Sequence, residues 1–86
     1  MHHATSRFWN SFGLLPENIQ EIARKNFSLL KNDPSHPSLH FKKVGKLWSA
    51  RVGTHHRALA VPDRADFLWV WIGTHDEYMR LIKQEG

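Results

Sequence analysis

The spacing of apolar residues changes character twice along this chain. Up to about residue 32 it is helical. Phe8, Trp9 and Phe12 stand at i, i+1 and i+4, after Thr5 or Ser6 as a cap and before Gly13 as a stop. Pro16 then opens a second helix, where its missing N–H costs nothing. Ile19, Ile22, Ala23, Phe27 and Leu30 make its apolar stripe, and Asn32-Asp33-Pro34 ends it. From Leu39 to Ile72 the pattern belongs to strands, broken at short intervals by turn residues. The predicted strands are Leu39–Val44, Leu47–Val52, His56–Val61 and Phe67–Ile72. Gly45-Lys46, residues 53–55 and Pro62-Asp63-Arg64 make the turns between them. In the second strand Trp48, Ala50 and Val52 face one way, and Leu47, Ser49 and Arg51 the other. Helical spacing returns after Thr74. Thr74 and Glu77 form a capping box, and Tyr78, Leu81 and Ile82 make a core-facing stripe to about Gln84.

The order is helix, helix, four strands, helix. It predicts an α+β domain over residues 1–86: an N-terminal helical hairpin packed on a four-stranded antiparallel sheet, followed by a C-terminal helix, with the helices on one side. Met1-His2-His3 receives no role in this reading.

Composition sharpens the picture in three ways. An 86-residue chain buries a modest core, so large aromatic residues (Trp9, Phe12, Phe27, Trp48, Phe67, Trp69 and Trp71) are expected to compensate. The absence of cysteine excludes disulfides and thiolate metal sites. No run approaches the length of a membrane span and no signal-peptide pattern opens the chain, so a cytoplasmic location is expected.

Charge is distributed unevenly. Net charge is +4, yet from Pro34 to Pro62 there are five basic side chains (Lys42, Lys43, Lys46, Arg51 and Arg57) and no acid. His36, His40, His55 and His56 lie in the same stretch. A basic sheet face suits a polyanion such as RNA, or an acidic partner; it also suits plain solubility. The histidines show no spacing that pairs them with a carboxylate as metal ligands, and no phosphate loop or nucleophile elbow is present, so neither metal nor cofactor is expected.

The constellation suited to chemistry is Arg51, Arg57 and His75, with Lys42, Lys43 and Tyr78 nearby. Cleavage of an RNA backbone requires removal of the 2′-hydroxyl proton, charge relief at the phosphoryl oxygens, and protonation of the departing 5′-oxygen. Histidine performs either proton transfer. Arginine supplies fixed donors to phosphate, and lysine adds backbone affinity. Each has an ordinary alternative: arginines on an open sheet face, a helix-start histidine, a core tyrosine.

With these residues laid out, the chain resembles the RelE/ParE toxin superfamily, and most closely the small RelE-like toxins of bacterial toxin–antitoxin modules. The resemblance spans about residues 8–82. It rests on Leu15-Pro16, on His36-Pro37-Ser38-Leu39-His40-Phe41-Lys42-Lys43-Val44, on Trp48-Ser49-Ala50-Arg51-Val52, on Arg57-Ala58-Leu59, and on the run from Trp69 through Gly73-Thr74-His75 to Tyr78. It implies a toxin neutralised by a cognate antitoxin protein. In one branch the toxin is a metal-independent endoribonuclease that cuts mRNA on the ribosome, leaving a 2′,3′-cyclic phosphate. The alternatives are a ParE-like inhibitor of DNA gyrase and a catalytically silent antitoxin-binding protein. The resemblance puts the family's catalytic positions at Lys42 and Lys43, at Arg57 and at His75, with Arg51 at a frequently basic position and Tyr78 a loose match. Together with the chemistry above, catalytic roles are expected at His75, Arg57 and Arg51, RNA binding at Lys42, Lys43, Lys46 and His56, and an auxiliary role at Tyr78. Two departures stand out: His56 occupies the usual place of a tyrosine, and the chain leaves almost no room for the strand that opens many relatives.

Overall fold

The computed structural model describes residues 2–85; Met1 and Gly86, and the side chains of Gln84 and Glu85, lie outside the described set. Eight main elements follow one another: β1 (His2–Ala4), α1 (Ser6–Gly13), α2 (Glu17–Asn32), β2 (Lys42–Val44), β3 (Leu47–Val52), β4 (His56–Asp63), β5 (Asp66–Thr74) and α3 (His75–Glu85). A short 3₁₀ turn, Pro37–Leu39, precedes β2. The strands form one sheet in the order β1-β5-β4-β3-β2. All neighbours run antiparallel except β1, which lies parallel to β5.

The expected α+β architecture is present, with three corrections. First, the sheet has five strands. Three residues suffice for β1 because side chains hold what the short ladder cannot. Trp69 Nε1 donates to His2 Nδ1 at 3.0 Å, and the His2 ring stacks on Phe67 with centroids 5.6 Å apart. Thr5 then sends both its N–H (3.0 Å) and its hydroxyl (3.3 Å) to the Trp69 carbonyl.

Second, the helices cover both faces. Phe12, Ala23 and Leu30 of α1 and α2 pack with Ala50, Val52, Ala58, Ala60, Trp69 and Ile72. On the opposite face Tyr78 of α3 packs with Leu47 and Leu59, flanked by Val70, Trp71, Leu81 and Ile82. This explains why β5 is apolar on both sides. Its pairing with β4 also slips by one residue: Leu59 faces Trp71 while Ala60 faces Trp69, which leaves Val70 as a bulge. The bulge sends Trp69 and Ile72 to the same face, although two residues separate them.

Third, the strand boundaries shift. Leu39 belongs to the 3₁₀ turn, so β2 begins only at Lys42. Pro37 fixes the turn's start and the His36 ring accepts the Ser38 N–H. His40 then closes it in the left-handed region, φ +45°. Pro62 and Asp63 extend β4, and the chain reverses at Arg64-Ala65 instead. Arg64 takes φ +58°, as a two-residue hairpin requires.

The aromatic residues share the burial unequally. Phe12 and Trp69 are buried, Phe27 sits at the rim, and Trp9 is 56% exposed. Trp9 is one residue from Phe8, so helical rotation turns it out of the stripe that Phe8 and Phe12 share.

Candidate functional site

The candidate site begins with a strand register. Arg51 of β3 stands directly opposite Arg57 of β4, and Arg57 opposite Gly73 of β5. Residues opposed in this way point to the same face. That face also carries Leu47, Leu59 and Tyr78, so both arginines emerge beside the buried edge of α3. Like charges directly opposite one another destabilise a strand pair. Among the described residues neither guanidinium meets a carboxylate. Arg57 Nη1 donates to the His56 carbonyl at 2.8 Å, and Arg51 Nε donates to the Gly53 carbonyl at 2.9 Å. Partial burial, with the charge of Arg51 adding to it, lowers the Arg57 pKa, and Tyr78 opposes that shift.

The third member arrives from the end of β5. Thr74 caps α3: its hydroxyl accepts the Glu77 N–H at 3.2 Å, and the Glu77 carboxylate accepts the Thr74 N–H at 3.3 Å. This is the expected capping box, and it fixes where His75 begins the helix. A backbone bond from His75 N–H to the His55 carbonyl, 2.7 Å, ties that corner to the start of β4. Arg57 and His75 therefore line one cleft of about 320 Å³, with Thr54, His55, Thr74 and Asp76.

The structure thus brings Arg57 and His75 together. Arg51 is their neighbour, but its head group turns back toward Gly53 and His40. The other residues divide by face. Lys42 lies opposite Ser49 and shares the face of Arg51, whereas Lys43 lies opposite Trp48 and points to the other side. Lys46 is exposed in the turn between β2 and β3. His56 lies opposite Val52 and so projects away from Arg57, toward the α2 side. Its Nδ1 is buried without a partner, and burial lowers its pKa. Tyr78 is 5% exposed and its ring packs in the core, with the His75 ring 5.8 Å away.

Three-dimensional likeness follows this geometry. A chain of the RelB-RelE antitoxin-toxin complex from Methanococcus jannaschii superposes with a TM-score of 0.72 at 13% identity, over 92% of this chain and 96% of that one. YafQ from E. coli gives 0.67 at 13% identity, over 91% and 96%. A YoeB/ParE toxin from Agrobacterium tumefaciens gives 0.60 at 15%, over 86% and 96%. The fold is that of the RelE/ParE toxins. No family model and no curated protein matches the sequence.

Within this RelE/ParE fold, three cleft residues escaped the sequence reading. Thr54 and His55 sit in the turn before Arg57, and Asp76 follows His75. The turn was legible, but nothing in its composition says that it folds against the start of α3. Asp76 also gives the cleft an acid that the basic run from Pro34 to Pro62 does not suggest. Gly73 escaped as well. A Cβ there would collide with the Trp71 indole, which lies across the glycine beside Arg57. An isolated glycine inside a strand is the signal for such a close approach. Among the described residues no group of histidines and carboxylates is placed to hold a metal ion, and no helix is long and apolar enough to cross a membrane.

Proposed function

We propose that this protein is the toxin of a toxin–antitoxin pair and acts as a metal-independent endoribonuclease on ribosome-bound mRNA. The observation that carries this reading is the Arg51–Arg57 cross-strand pair, without carboxylate partners, at the edge of a cleft that also holds His75. Two like charges on adjacent strands cost stability, and a bound phosphodiester relieves that cost. The Arg57 donors then meet the charge that grows on the non-bridging oxygens as the 2′-oxygen attacks phosphorus, with the positive charge of Arg51 beside them. His75 carries one of the two proton transfers, removing the 2′-hydroxyl proton or protonating the departing 5′-oxygen, and solvent carries the other. The bond from phosphorus to the 5′-oxygen breaks as the cyclic phosphate forms, so the reaction consumes no water and needs no cofactor.

The antitoxin partner is supported by the M. jannaschii likeness, whose RelE was crystallised with RelB. Lys42, on the face of the arginines, is assigned to the RNA backbone. Lys43 and His56 project from the opposite face, which removes support for their contact with the same strand.

The test is induction of the chain in growing bacteria, followed by primer extension on cellular mRNA. Cuts in phase with codons support the proposal. Intact mRNA accompanied by DNA damage would assign the protein to gyrase inhibition instead. No growth effect from the chain alone would assign it to antitoxin binding without catalysis.

A further inference from the structure

The line of side chains that could meet phosphate does not stop at β3. The ladder between β2 and β3 sets Lys42 opposite Ser49, and His40 comes two residues before β2 begins, where it closes the 3₁₀ turn outside that ladder. Its side chain meets that of Arg51 there, with Arg51 Nη1 donating toward His40 Nε2 at 3.4 Å. His40, Arg51 and Arg57 thus follow one another in a line, His40 touching Arg51 and Arg51 standing opposite Arg57 on the next strand. The cleft with His75 lies at the far end of that line.

Two further observations bear on His40. It is exposed, and its backbone adopts φ +45°, a conformation that glycine or asparagine would take more readily. The unusual backbone holds the imidazole beside the guanidinium. The stretch from Pro34 to Pro62 contains no acid, so no carboxylate on this part of the chain competes with an incoming anion.

We propose that His40 and Arg51 form a second phosphate subsite, which binds the ribonucleotide phosphodiester next to the one held at Arg57 and His75. The proposal rests on the endoribonuclease reading for its substrate. The RNA backbone then runs across the strands, from the cleft toward the 3₁₀ turn. An anion between the two side chains accepts hydrogen bonds from both and replaces the long contact they make with each other. Arg51 then contributes to substrate hold more than to the chemical step, which agrees with its head group lying outside the cleft lining.

The experiment titrates the full chain with a 2′-O-methyl RNA trinucleotide, which lacks the nucleophile and is not cut. Histidine ring signals are followed by NMR and affinity by calorimetry. The His40 ring signals shift on binding. His40→Asn keeps a residue suited to the left-handed backbone and weakens affinity about tenfold through the lost hydrogen bond. Arg51→Gln has a comparable effect. Unmoved His40 signals together with unchanged affinity in His40→Asn overturn the subsite. The two readings separate cleanly. Trinucleotide binding through His40 without mRNA cutting leaves the subsite standing and removes the nuclease. Cutting by the parent, with trinucleotide binding indifferent to His40, does the reverse.

Discussion

At the scale of single residues, the proposed chemistry divides labour between charge and proton transfer. Arg57→Ala removes the guanidinium proposed to meet the reacting phosphate, and His75→Ala removes the proposed proton carrier. Each is expected to lower the rate of mRNA cutting by roughly 10²–10⁴-fold and to abolish growth arrest. Quantified primer extension checks this, and arrest as strong as the parent's from both variants would refute the assignment. Gly73 offers a test that leaves both groups in place. Gly73→Ala forces the Trp71 indole off its seat beside Arg57. Overpacking of this kind costs about 1–3 kcal/mol, which a denaturant melt with tryptophan fluorescence reads directly. Histidines also give the protein a pH dependence. Burial lowers the pKa of both His2 and His56 below 6.5. The unfolded chain therefore takes up these protons first. Stability is full above about pH 6.5 and falls as the pH drops through that value toward the lower folded pKa values. Protonated His2 can no longer accept from Trp69 Nε1. Thermal melts from pH 7 to 5 should show the decline, flattened in His2→Gln combined with His56→Gln.

At the scale of elements, α3 serves two roles at once. Its apolar stripe covers the second face of the sheet, and its capped start presents His75. Thr74→Ala is expected to cost about 1 kcal/mol. That is a fall of roughly 4–8 °C in Tm for a domain of this size, with catalysis reduced as the corner loosens. β2 gives a sharper contrast, because alternation sends its two lysines to opposite faces. Lys42→Ala should weaken binding of a single-stranded RNA, whereas Lys43→Ala should leave it near the parent value; equal losses would show that the face assignment has no functional meaning. Much of this was legible beforehand. The helix boundaries, β3, the capping box and the Tyr78 stripe followed from periodicity and capping chemistry, which are local. The misplaced features all depend on distant partners. β1 exists through Trp69 and Phe67, the bulge at Val70 through β4, and the start of β2 through the His36 and Pro37 turn. Sequence spacing also brought Arg51, Arg57 and His75 to one side. It could not show that Arg51 leans toward His40, or that Thr54, His55 and Asp76 complete the cleft.

At the scale of the whole molecule, a five-stranded sheet is clad on both faces near its centre and left open at the end where the arginines emerge. The cladding accounts for the near-continuous apolar run of β5. The opening accounts for cationic residues that belong to no ion pair among the described residues. Under the proposed function, binding at that end rests on charge, and RNA affinity should fall steeply with salt. With about three phosphates neutralised, the slope of log affinity against log salt is expected near −2. Affinity indifferent to salt would point to stacking rather than phosphate contact.

The parallel edge strand has a consequence in time. Its anchors join residues 64 and 67 positions apart in sequence, Thr5 and His2 both reaching Trp69. A nascent chain leaving the ribosome offers β1 first, yet nothing can receive it until β5 has emerged, and His75 follows β5 directly. Closure of the sheet and completion of the cleft thus fall together, once β5 and the start of α3 are out. Under the endoribonuclease reading proposed above, the chain gains its action on translation only after these elements have left the ribosome making it.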